Sequence, residues 1–151
     1  MPSVLFICTG NIHRSPMAEA LLKAKTATAK EQWIIESAGT WAPKGEPASQ
    51  EVQVVLGKAG LDVSAHRSRR VNRRILHGFN LILTMEANHK EALQVEFPEL
   101  AGRIYMLSEM VGMKRDIDDP IGGPLVDFVD TAREIDRYLT EGFERIRELA
   151  G

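Results

Sequence analysis

Only one cysteine, Cys8, occurs among the 151 residues. No internal disulfide can form, which excludes a cross-linked secreted scaffold and leads to the expectation of a reducing, cytoplasmic setting. No apolar run approaches bilayer length. The opening Met1-Pro2-Ser3 also lacks the basic start and long apolar stretch of an export signal. No membrane partner is therefore expected. Charge is nearly balanced, with 19 Lys and Arg against 21 Asp and Glu and a net charge of -2, so no overall field draws the chain to nucleic acid. His13, His66, His77 and His89 are scattered, and no two stand at the spacing of a helical metal pair. Neither a metal nor a cofactor is expected. The Gly-x-x-x-x-Gly-Lys and Gly-x-Gly-x-x-Gly loops and the Cys-x-x-Cys pair are all missing, which argues against nucleoside triphosphate, dinucleotide and dithiol chemistry. Repeats, low-complexity tracts and long linkers are missing too, and the length suits one domain with a real core.

What remains is an alternation of short apolar runs and helical patterns. The runs Val4–Ile7, Trp33–Ile35, Leu81–Leu83 and Ile104–Leu107 are dense in apolar residues rather than alternating, as strands buried on both faces are. Helices are expected from Ser15 to Lys25, from Ala48 to Ala59 with Gly60 as its stop, through Arg69–Leu76, from Ala87 to Phe97 ahead of Pro98, and from Val126 to Ala150 as one unit. This order predicts a single α/β domain: a four-stranded parallel sheet, helices on both faces, and a site beyond the carboxyl ends of the strands. Cys8 stands at that end of the first strand.

Five residues separate Cys8 from Arg14 in Cys8-Thr9-Gly10-Asn11-Ile12-His13-Arg14-Ser15-Pro16. A loop of this length can curl so that its amides converge on one oxyanion. Gly10 is expected to supply positive φ, and Asn11, which tolerates that region, to pin the loop with its side chain. Arg14 can lay its planar fork on two phosphate oxygens. Ser15 suits an N-cap and Pro16 the first helical position. The helix N-terminus then points into the loop, where its dipole favours an anion and a Cys8 thiolate. Ser15 Oγ can donate to that thiolate.

These residues resemble the low-molecular-weight protein tyrosine phosphatase family, in its bacterial form. The likeness covers Cys8 through Glu19 and continues at Glu36-Ser37-Ala38-Gly39-Thr40, His66-Arg67-Ser68-Arg69, Leu81-Ile82-Leu83-Thr84-Met85 and Asp119-Pro120, in family order. The resemblance implies metal-free hydrolysis of a phosphorylated protein through a phosphocysteine. Cys8 would be the nucleophile, Arg14 the clamp, Asn11 the keeper of the loop, Ser37 and His66 its supports, and Asp119 the general acid. The loop Thr9, Gly10, Asn11, Ile12, His13, Arg14 and Ser15 would hold the phosphate. Among Asp116, Asp118 and Asp119, the last is preferred because it precedes a proline, and its acidic neighbours are expected to raise its pKa. Glu86 is a candidate for orienting Arg14 from behind.

Two departures bear on substrate and redox behaviour. His13 stands where many family members carry a second cysteine, so an oxidised Cys8 has no internal partner. Ile121-Gly122-Gly123 follows Asp119-Pro120 where tyrosine phosphatases often carry aromatics, a pattern that resembles bacterial members, including protein arginine phosphatases. Those place threonine at the position of Ile12, so Ile12 favours phosphotyrosine. Ile12, Trp41 and Ile121 are the expected pocket walls. Arg67, Arg69, Arg70, Arg73 and Arg74 form either a solvated helix face or a dock for acidic segments, and without interleaved aromatics they do not suit nucleic acid. Arsenate reduction on the same scaffold needs further cysteines, and a non-catalytic phosphoprotein-binding module would need neither Cys8 nor Asp119.

Overall fold

A computed structural model describes residues 1–151. The four apolar runs form strands β1 (Ser3–Cys8), β2 (Ile34–Gly39), β3 (Leu81–Thr84) and β4 (Ile104–Met106). All pairs are parallel and the sheet order is β2-β1-β3-β4. Side chains of β1 alternate between two cores, as period-two geometry requires. Val4, Phe6 and Cys8 enter one core, and Leu5 and Ile7 enter the other. Six α-helices cover the sheet: α1 (Arg14–Thr26), α2 (Gln50–Lys58), α3 (Arg73–His77), α4 (Ala87–Glu96), α5 (Leu125–Glu141) and α6 (Phe143–Ala150). Helices α1, α2, α5 and α6 close the first core through Met17, Leu22, Val52, Leu56, Ile135 and Ile146. Helices α3 and α4 close the second through Leu76 and Leu93. No helix is long and apolar enough to cross a membrane.

Three expectations about elements change and one holds. β2 continues past Ile35 through Glu36-Ser37-Ala38-Gly39, because that segment pairs with β1 up to Cys8. The arginine-rich helix begins only at Arg73, where Asn72 accepts the Ile75 amide as its cap. Arg69 and Arg70 are extended, and Arg70 bridges to Gly39. The C-terminal helix is not one unit but breaks at Gly142 between α5 and α6. A Cβ there would lie 2.7 Å from Met110 Cβ and 2.8 Å from the Tyr138 carbonyl, so close packing requires glycine. The break returns α6 to the sheet, where Asn80 Nδ2 donates to the Ala150 carbonyl (2.9 Å). Finally, Gly60 does stop the second helix, at φ 79° just beyond α2.

The chain leaves β1 for β2 on one side, then crosses to β3 on the other. The carboxyl end of β1 is thus a topological switch point, where the sheet opens a crevice. The loop from Thr9 to His13 lies there.

Candidate active site

Four carbonyls from Cys8 to Ile12 are tied to neighbouring segments. The Cys8 and Thr9 carbonyls accept from the amides of Thr40 (2.9 Å) and Trp41 (3.0 Å), and the Ile12 carbonyl accepts from the Ser49 amide (3.0 Å). The Asn11 carbonyl takes a bond from His66 Nε2 (2.7 Å). By contrast, the amides of residues 9–15 donate to no group of the protein. Carbonyls tied back with amides left over is the arrangement of an anion nest at a helix N-terminus. The single positive φ in the loop falls on Asn11 (56°), not on Gly10 as expected. Asn11 can hold it because its buried side chain is bonded at both ends.

Those bonds have one direction throughout. The Arg69 amide donates to Asn11 Oδ1 (3.0 Å). Asn11 Nδ2 donates to Ser15 Oγ (2.8 Å) and to Ser37 Oγ (2.9 Å). Ser37 then donates to Glu19 Oε1 (2.7 Å). Ser15 is not the N-cap: α1 starts at Arg14, His13 occupies the cap position without a side-chain bond, and Ser15 lies inside the first turn. Since Ser15 Oγ already accepts from Asn11, its own proton is free for Cys8 Sγ at 2.9 Å. Cys8 is buried and unbridged. Sequence reasoning assigned no role to Glu19 or to the Arg69 backbone. Glu19 stands four residues after Ser15 on one helix face, which is the signal that could have found it.

Gly39 presses against the loop. A Cβ there would collide with the Thr9 carbonyl and lie 2.9 Å from Ala42 Cβ and 3.1 Å from the Asn11 amide nitrogen. Gly39→Ala is expected to cost about 1–3 kcal/mol of stability and to weaken inorganic phosphate binding. Urea unfolding and titration calorimetry check both; wild-type values in the two would remove the close contact from the account.

Arg14 is 1% exposed. Its Nη1 donates to Glu86 Oε2 (2.5 Å) and to the Ile117 carbonyl (2.6 Å), so Glu86 does hold it from behind. Its Nε is buried without an acceptor, a donor that an anion in the nest would satisfy. Nη2 faces Thr9 Oγ1 (3.5 Å) and Asp119 Oδ2 (3.7 Å). Thr9 Oγ1 also bonds His89 Nε2 (2.8 Å), and burial shifts His89 toward its neutral form.

Asp116 and Asp119 take different partners, while Asp118 stays beside Asp119. Asp116 caps α4 by accepting the Ala87 amide (2.8 Å). Asp119 reaches the loop, with Oδ1 3.1 Å from His13 Nδ1. Its pKa is not raised by its neighbours as expected. The His13 hydrogen bond, aided by the Arg14 charge and the Ile121 amide, outweighs burial and holds the carboxyl below its usual range.

At the mouth, Trp41 and Ile121 are 69% and 68% exposed, and Ile12 is half-buried. The Trp41 amide is tied to Thr9, and the Ile121 amide to Asp119 Oδ1 (3.1 Å). The Arg70 guanidinium lies 4.2 Å from the Trp41 ring centroid. The other arginines divide among different tasks. Arg69 bonds Glu36 and the Ser37 carbonyl, Arg67 bonds the Ser64 and His66 carbonyls, and Arg73 pairs with Glu99 beneath Phe97.

A doubly wound α/β sheet carrying a cysteine-bearing anion loop at its switch point defines a class of cysteine-loop proteins. The model of the low molecular weight phosphotyrosine protein phosphatase family matches residues 3–149, and the chain belongs to that family. It is 34% identical over 145 residues to a protein-arginine-phosphatase of Geobacillus stearothermophilus, covering 95% of each chain. It is also 34% identical to the probable low molecular weight protein-tyrosine-phosphatase EpsP of Ralstonia solanacearum, covering 97% of each. The solved low molecular weight protein tyrosine phosphatase from T. tengcongensis superposes with a TM-score of 0.91 at 40% identity, over 96% of this chain and 99% of that one.

Proposed function

We propose that the protein hydrolyses phosphate esters of phosphorylated protein, phosphotyrosine first, through a covalent phosphocysteine on Cys8. The observation that carries this reading is the nest: unpartnered amides of residues 9–15 and the unsatisfied Arg14 Nε, set beside a cysteine that Ser15 can hold as a thiolate. Cys8 Sγ attacks phosphorus in line, forming the S–P bond as the P–O bond to the leaving group breaks. The amides and Arg14 stabilise the equatorial oxygens. Asp119 gives its proton to the leaving oxygen, then removes a proton from the water that breaks the S–P bond. In the free protein Asp119 favours the charged form. A bound phosphate offsets Arg14 and adds negative charge nearby, which favours the protonated acid when it is needed.

The apolar rim of Ile12, Trp41 and Ile121 supports an aromatic substrate. A second reading, phosphoarginine, draws on Asp118, Asp127, Asp130 and Glu134, which line a depression with Asp119 and suit a guanidinium. Arg70, on the Trp41 face, is the part of the arginine group that supports docking of acidic segments.

Rapid acid quench during turnover of p-nitrophenyl phosphate, followed by mass spectrometry, is expected to find phosphate on the Cys8 peptide. Its absence at every time point sinks the covalent route. Comparison of a phosphotyrosine peptide with a phosphoarginine protein ranks the two substrates, and Ile12→Thr is expected to move the ratio toward phosphoarginine.

A further inference from the structure

We infer that His13 is a positioning residue for the general acid: it holds Asp119 by one oxygen so that the other delivers the proton. This rests on the phosphatase reading above. His13 is 7% exposed. Its ring meets Phe128 edge-on, with centroids 5.3 Å apart and planes at 78°, so the imidazole has little freedom to turn. In this fixed pose Nδ1 donates to Asp119 Oδ1 at 3.1 Å. The Ile121 amide donates to the same oxygen. One carboxylate oxygen is thereby held twice, while Oδ2 faces Arg14 Nη2 at 3.7 Å, on the side of the nest.

The arrangement has a physical purpose. Asp119 belongs to a stretch without regular structure between Gly112 and Pro124, and its side chain is 31% exposed. A carboxylate on such a segment rotates unless held, and misaligned groups lose rate steeply. His13 belongs to the loop that binds the phosphate, so the acid is anchored to the same body as the anion it serves. The charged and titratable groups that face Asp119 are His13 and Arg14 from the loop and α1, Asp118 beside it, His89 from α4, and Asp127, Asp130 and Glu134 from α5. Only His13 and the Ile121 amide make hydrogen bonds to its carboxylate.

The test uses two esters that differ in their need for an acid. p-Nitrophenyl phosphate has a good leaving group, and phenyl phosphate a poor one. In His13→Ala, kcat/KM is expected to fall about tenfold more on phenyl phosphate than on p-nitrophenyl phosphate. His13→Asn, whose amide nitrogen replaces Nδ1, is expected to restore the wild-type ratio to within about threefold. Carbon-13 carboxyl NMR of the unliganded protein reads Asp119 without any turnover: its pKa rises in His13→Ala and falls back in His13→Asn. Equal losses on both esters, or an Asp119 pKa unmoved by His13→Ala, overturns the role. Wild type inactive on both esters, with the NMR shift still present, overturns the phosphatase reading and leaves only the contact.

Discussion

Cys8→Ser is expected to abolish turnover of p-nitrophenyl phosphate, a loss of at least about 10⁴-fold, while binding of inorganic phosphate stays within about threefold of wild type. The reason lies in the partners of Cys8. Ser15 Oγ, which accepts from Asn11 Nδ2, is the hydrogen-bond partner of Cys8 Sγ, and a neutral hydroxyl is no base to remove a proton. A serine hydroxyl ionises far less readily than a thiol and needs a base beside it. The nearby histidines are committed elsewhere: His13 to Asp119, His66 to the Asn11 carbonyl, His89 to Thr9. Meanwhile the amides of residues 9–15 and Arg14 are untouched by the exchange. Steady-state kinetics with phosphate calorimetry separates the two effects. Retention of a tenth of the activity, or loss of phosphate binding with a normal fold, would contradict the assigned roles.

Arg14→Lys keeps the charge and removes the fork. Its expected cost is about 10³-fold in kcat/KM, with destabilisation of about 1–3 kcal/mol. The guanidinium uses Nη1 for both Glu86 and the Ile117 carbonyl, leaving Nε and Nη2 for the nest. One ammonium cannot serve Glu86 and two phosphate oxygens in a plane. A lysine that followed Glu86 would abandon the anion, and one that followed the anion would leave Glu86 and the Ile117 carbonyl without their donor. Kinetics on p-nitrophenyl phosphate and the urea midpoint read the two losses. A decrease of less than tenfold in kcat/KM would mean that charge, not geometry, is what Arg14 contributes.

The arginine group illustrates how one sequence pattern divides into separate jobs. Arg67, Arg69, Arg70, Arg73 and Arg74 read as one basic helix face, yet the segment is extended before Asn72. Successive extended residues point to opposite sides. Arg69 therefore turns to Glu36 and its amide pins Asn11, whereas Arg70 lies over Trp41. Local helical propensity lost here to a bridge with the end of β2, a partner remote in sequence.

Much of the candidate site is legible in the sequence, because it is local. An apolar run, a loop of set length and a helix start within 16 residues specify a strand, a turn and an amide nest through backbone geometry alone. Cys8, Asn11, Arg14 and Ser15 follow from that stretch, and the four strands follow from apolar runs whose burial is written in their composition. What the chain could not disclose depends on partners far along it. Which of three aspartates reaches the loop was settled by contacts spanning about a hundred residues, His13 with Asp119 and Arg14 with Ile117. The direction of the Asp119 pKa followed from those contacts rather than from its acidic neighbours in sequence. The glycine demanded at position 39 by the Thr9 carbonyl, and the helix break demanded at 142 by Met110, are steric facts between segments. Backbone conformation is a short-range property that residue types express directly, whereas proximity and electrostatic field exist only once the chain has closed on itself.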